Sequence, residues 1–134
     1  MEPMKTLIVE DDFTSRLLLQ EFLRGYGEVH LAANGGDAVL IVSGSLAAGR
    51  PFDLICLDIM MPIMDGQDAL RRIRSAEHAA GVPAGKGARV IMTTALCDGQ
   101  NVIKAFKGEC DAYLVKPIDR AKLIGHLKAF GLVP

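Results

Sequence analysis

The chain has 134 residues, 50% hydrophobic and 23% charged, which suits one folded domain with a real core and argues against disorder. Fifteen Lys and Arg against sixteen Asp and Glu leave a net charge of −1, so there is no overall attraction to nucleic acid or anionic membrane. Apolar stretches such as Ala38–Val42 fall far below the roughly 20 residues that span a bilayer. The opening MEPMKTLIVEDD lacks the basic-then-apolar plan of an export signal, which makes the cytoplasm the expected compartment.

The first element is an apolar run, Leu7–Val9, ending in Glu10-Asp11-Asp12. Leu18, Leu19, Phe22 and Leu23 then recur at helical spacing until Gly25 and Gly27 stop the helix. Glu28–Ala32 reads as a second strand, and Asn34-Gly35-Gly36 as the turn into a second helix from Asp37 to about Ala48. That helix is apolar nearly all round, where a surface helix ordinarily shows a polar face. It is either unusually covered or offers an apolar patch to a partner.

Phe52–Leu57 is a third strand, apolar apart from Asp53, and it runs into Asp58 and the loop Met60-Met61-Pro62. Asp65-Gly66 opens a third helix with Ala69, Leu70 and Ile73 inward, Gly66 supplying backbone freedom at its mouth. The Gly- and Pro-bearing segment Glu77–Gly87 reads as a long, mobile, peripheral loop. Arg89–Thr94 is a fourth strand, Val102, Ile103 and Phe106 mark a fourth helix, Ala112–Val115 is a fifth strand, and the last helix carries Leu123, Ile124, Leu127 and Phe130.

Five β-α units in alternation, with near-continuous apolar strands, imply a parallel sheet covered on both faces. Ligands of such open sheets lie beyond the carboxyl ends of the strands. Those ends are Glu10-Asp11-Asp12, Asp58, Thr93-Thr94 and Lys116-Pro117, which brings carboxylates, a hydroxyl and an ammonium together. Two carboxylates about 4 Å apart repel by roughly 4 kcal/mol at an effective dielectric of about 20, so the cluster demands a cation or a shifted pKa. Hard oxygen ligands suit Mg2+, and a metal beside a free carboxylate with Lys and Thr opposite is a constellation for phosphoryl transfer.

Other polar residues carry less. Cys56, Cys97 and Cys110 form no C-x-x-C pair and read as reduced thiols, Cys56 in the core. His30, His78 and His126 have no partner at ligand spacing, and Met60, Met61 and Met64 in a Pro-broken loop read as packing. Strand alternation sends Thr93 to the face opposite Thr94, and Glu10 reads as a solvated neighbour of the acidic pair.

The stretches LIVEDD, LDIMMPIMDG, MTTA and YLVKP, in this order and each at a strand end, resemble the receiver (response-regulator) domain of bacterial two-component signalling along essentially the whole chain. The resemblance implies a flavodoxin-like doubly wound (βα)5 domain with strand order 2-1-3-4-5, residues 1–134 forming a single receiver domain with no output domain. It makes Asp58 the phospho-acceptor. Asp11 and Asp12 match the Mg2+-binding pair, Asp12 as the more direct ligand, and Met60 matches the residue that gives the metal its backbone carbonyl. Thr94 matches the hydroxyl, and Lys116 the lysine, that engage the phosphoryl group. Tyr113 matches the aromatic switch residue that turns inward as Thr94 moves, and the bond to Pro117 is expected to be cis.

The implied partners are a sensor histidine kinase or phosphotransfer protein and a downstream target protein, in a chemotaxis-type or phosphorelay pathway, without direct contact to nucleic acid or membrane. Self-association has two candidate surfaces, the apolar second helix and the face formed by the fourth helix, fifth strand and last helix. The rival readings are a pseudo-receiver that binds partners without phosphorylation and an aspartyl-phosphate phosphatase of the haloacid-dehalogenase kind. The latter needs an Asp where this chain has Met60. Apart from handling its own phosphoryl group, the chain is not expected to be an enzyme.

Overall fold

Parallel pairing runs through all five strands of the computed structural model, which describes residues 3–61, 64–95 and 110–134. The strands are β1 (Met4–Val9), β2 (Gly27–Ala32), β3 (Leu54–Asp58), β4 (Arg89–Thr94) and β5 (Ala112–Val115), in the order β2-β1-β3-β4-β5. The described α-helices are α1 (Phe13–Leu23), α2 (Gly35–Ala47), α3 (Gly66–Ala79) and α4 (Arg120–Ala129), with a 3-10 turn at Arg24–Tyr26 after α1. This is the doubly wound architecture that the alternation predicts. The helix expected around Val102, Ile103 and Phe106 lies outside the described residues, as do Leu96 and Cys97.

Strand alternation divides the core in two. Leu7, Val9, Ile55, Leu57, Val90 and Met92 meet Ala38 and Val42 of α2 and Leu70 and Ile73 of α3. Ile8, Leu54, Cys56 and Ile91 meet Leu19 and Leu23 of α1 and Leu123 and Leu127 of α4. Each fully buried leucine or isoleucine contributes about 1.5–3 kcal/mol. Burial also pushes the Cys56 thiol up to about 12, so it stays protonated and inert.

All four described α-helices begin the same way. Asp12, Asn34, Asp65 and Asp119 each accept a hydrogen bond from the backbone N–H three residues on, which satisfies a donor the helix cannot. The cap on Asn34 starts α2 at Gly35, two residues before the expected start at Asp37. Backbone pairing also outruns side-chain pattern in β1, where Met4, Lys5 and Thr6 pair with Gly27, Glu28 and Val29.

The segment Glu77–Gly87 departs from expectation. Helix α3 continues to Ala79, so Glu77 is helical, and its carboxylate is buried. It accepts from Ala88 N–H at 2.7 Å and from Arg74 Nη1 at 2.8 Å, tying the far end of the loop back to α3. A Cβ on Gly87 would lie 2.2 Å from Glu77 Oε1, so the absence of a side chain there lets the carboxylate reach the backbone. Most of the residues from His78 to Lys86 are exposed, as a peripheral segment requires, but the buried Glu77 carboxylate anchors its far end.

Candidate functional site

Sheet register sets the site. Val9 pairs with Leu57, Asp58 with Thr93 and Thr94 with Val115, so β1, β3, β4 and β5 end at one level. Glu10 extends the ladder by one step, its N–H donating to Ala32 O at 3.0 Å. Its side chain is completely buried, Asp58 is 4% exposed, and Asp11 lies open to solvent. Carboxylate oxygens of Glu10, Asp11 and Asp58 lie within 4.8 Å of one another.

Lys116 is the counter-charge. Its Nζ sits 2.5 Å from Glu10 Oε1 and 3.2 Å from Asp58 Oδ2. The other Asp58 oxygen, Oδ1, accepts from Met60 N–H at 3.1 Å, and Glu10 Oε2 accepts from Asp12 N–H at 3.2 Å. Burial, helped by the neighbouring Asp58, raises the Glu10 carboxyl above its ordinary range despite the pull of Lys116. For Lys116, burial alone would lower the pKa, but the bond to Glu10 and the charge of Asp58 outweigh it and hold the ammonium above its usual value.

Two acids sit differently from expectation. The Asp12 carboxylate accepts from Ser15 N–H at 2.8 Å as the cap of α1, a bond that holds its pKa below the ordinary value, and it is not among the carboxylates gathered with Asp58. Glu10 is not a solvated neighbour, because it still follows strand geometry and its side chain turns into the sheet end. The acidic pair that faces Asp58 is therefore Glu10 with Asp11. An Asp immediately ahead of an apolar helical run is the signal that would have marked Asp12 as a cap.

Thr94 is completely buried at the end of β4, and its carbonyl accepts from Lys116 N–H at 2.7 Å. Thr93, also buried, accepts Ile59 N–H through its carbonyl at 3.0 Å. The Lys116–Pro117 bond is cis. Tyr113 is half-buried and packs against the core beneath α2 and α3. Gly66 N–H donates to Ile59 O at 2.9 Å, and a Cβ on Gly66 would lie 2.2 Å from the Asp58 carbonyl oxygen. Gly66 is thus required for close approach to the Asp58 backbone rather than for conformational freedom.

The family described as the response regulator receiver domain matches residues 6–128. The chain belongs to that family. This receiver domain is 36% identical over 125 residues to the probable transcriptional regulatory protein SilR of Salmonella typhimurium, covering 93% of this chain and 50% of SilR. It is 34% identical over 128 residues to the hybrid signal transduction histidine kinase L of Dictyostelium discoideum, covering 95% of this chain and 7% of that protein. Among solved structures, the receiver domain of the histidine kinase CKI1 from Arabidopsis thaliana, complexed with Mg2+ and BeF3-, superposes with a TM-score of 0.79 at 28% identity, covering 94% of this chain and 90% of that one. The chain therefore spans half or less of these two curated relatives.

The donor set of this receiver domain fits a hard divalent cation. Glu10, Asp11 and Asp58 supply oxygen donors only, and one ammonium against three carboxylates leaves the group short of positive charge.

Proposed function

We propose that Asp58 accepts a phosphoryl group from the phosphohistidine of a sensor histidine kinase or phosphotransfer protein. The observation that carries this is the placement of one buried carboxylate, Asp58, between the Lys116 ammonium and the Glu10–Asp11 pair. In the transfer an Asp58 oxygen forms the new bond to phosphorus as the phosphorus–nitrogen bond of the donor breaks, and the imidazole leaves with the bonding pair. Lys116, already within reach of Asp58, exchanges a carboxylate partner for a phosphoryl oxygen, and the Thr94 hydroxyl donates to another. Mg2+ held by Glu10, Asp11, Asp58 and the Met60 carbonyl would supply further positive charge to the phosphoryl oxygens.

The new charge draws Thr94 and Lys116 inward, with Tyr113 following, and remodels the surface around β5 and α4. Output then passes by contact with a target protein. The chain's chemistry is confined to gaining and losing its own phosphoryl group. A cytoplasmic setting suits these partners; among the described residues no helix is long and apolar enough to cross a membrane.

The test is intact-mass analysis after incubation with acetyl phosphate, with and without Mg2+. One phosphoryl group is expected on wild type with Mg2+ and none on Asp58→Asn; modification of that variant would refute the acceptor. In the same assay Asp11→Ala should lose phosphorylation by roughly a hundredfold. Asp12→Ala should keep it, and show only a weakened α1 by circular dichroism. The reverse ranking would restore Asp12 as the ligand.

Lifetime offers another check. Met60 is 61% exposed beside Asp58, and neither it nor Leu96, which matches the other flanking position of the family, can hydrogen-bond an attacking water. Self-dephosphorylation should be slow, and Met60→Asn with Leu96→Glu should speed it about tenfold or more, a common scale for positioning groups. An unchanged decay of the phosphorylated mass would refute the argument.

A further inference from the structure

Among the described methionines, Met60 is the open one. It is 61% exposed, whereas Met4 and Met92 are buried and Met61 and Met64 pack partly against the core. It also stands at the acceptor. Its N–H donates to Asp58 Oδ1 at 3.1 Å, so the side chain leaves the backbone at the mouth of the site. A thioether on three rotatable bonds sweeps the space around that point, and no core contact holds it elsewhere.

Exposure decides which sulfur is oxidised first. A peroxide such as hydrogen peroxide gives one oxygen to the Met60 thioether. A sulfur lone pair forms the new S–O bond, the O–O bond breaks, and water is released; sulfur is oxidised and peroxide reduced. Because the side chain stands in solvent, the added oxygen disturbs no packing. The product is a polar sulfoxide, whose oxygen accepts hydrogen bonds far better than the thioether does.

We propose that Met60 is an oxidation site, and that its sulfoxide shortens the life of the phosphorylated state. The inference rests on the reading of Asp58 as phospho-acceptor. In hydrolysis a water oxygen bonds to phosphorus as the bond from phosphorus to Asp58 breaks, and the carboxylate leaves with the bonding pair. The thioether offers that water no partner. The sulfoxide oxygen accepts a hydrogen bond from it and holds it against the phosphorus. Asp58, Lys116 and the Met60 backbone carbonyl are untouched by the modification, and a methionine sulfoxide reductase would reverse it.

The test treats the full chain with hydrogen peroxide and then with a thiol reductant, which returns sulfenic acids and disulfides to cysteine but leaves the sulfoxide. Peptide mass mapping is expected to find the added oxygen on Met60 before Met4 or Met92. After phosphorylation with acetyl phosphate and Mg2+, the phosphorylated mass should decay about fivefold faster than in the untreated chain, the scale of one added hydrogen bond to the attacking water. Met60→Leu, which keeps the backbone carbonyl and has no sulfur, should show no response of its decay to peroxide. Sulfoxide reductase should restore the slow decay of the wild type. Buried methionines oxidised ahead of Met60, an unchanged decay with Met60 oxidised, or an equal peroxide response in Met60→Leu would each overturn the proposal. An untreated chain that takes no phosphoryl group would instead refute the acceptor reading, and this inference with it.

Discussion

Replacing Lys116 with methionine should destabilise the domain by roughly 3 kcal/mol in metal-free buffer, the scale for leaving a buried charge without its partner. The Lys116 side chain is only 16% exposed, and its ammonium is the cation that contacts both Glu10, which is fully buried, and Asp58, which is nearly so. Methionine keeps much of the stem's packing, so the loss reports mainly on charge. Two treatments should narrow the gap to wild type. Mg2+ restores positive charge to the cluster, and should raise the urea midpoint of the variant more than that of wild type. Acid does so by neutralising carboxylates. Burial raises the Glu10 pKa, so the folded state holds its proton more tightly than the unfolded chain. The associated stability is fully present below the ordinary value of 4.5 and is lost as pH rises through the higher folded value. Urea melts in EDTA and in Mg2+ check the prediction; an equal Mg2+ response in both proteins would show that Lys116 does not offset the acidic cluster.

Gly66→Ala should cost about 3 kcal/mol, at the upper end for overpacking, because the obstacle is backbone. The new Cβ would sit 2.2 Å from the Asp58 carbonyl oxygen and 2.9 Å from Ile59 Cα. Neither can yield cheaply, since Asp58 pairs with Thr93 and Ile59 N–H is bonded to Thr93 O. Any relaxation displaces the acceptor, so phosphorylation by acetyl phosphate should slow as well. Gly125→Ala on α4 is the control. A Cβ there meets nothing within 4 Å, and helix propensity alone should stabilise it by about 0.5–1 kcal/mol. Equal urea midpoints for Gly66→Ala and wild type would refute the steric account.

By itself the sequence determined the sheet, its strand order through family resemblance, and the convergence of Asp58, Thr94 and Lys116. Apolar periodicity and strict β-α alternation constrain a doubly wound fold tightly, and such a fold has one end at which its parallel strands finish. Tertiary structure decided which neighbouring acid faces that end. Glu10 and Asp12 are two residues apart and chemically alike, yet one N–H bonds Ala32 across the sheet while the other residue's carboxylate caps α1. It also decided that Glu77 is a buried anchor and that Gly66 is needed for space, since each depends on a backbone brought close from elsewhere in the chain. Periodicity along a chain reports which way a run of side chains points. Which group fills the last ångströms between two elements is settled only when they meet.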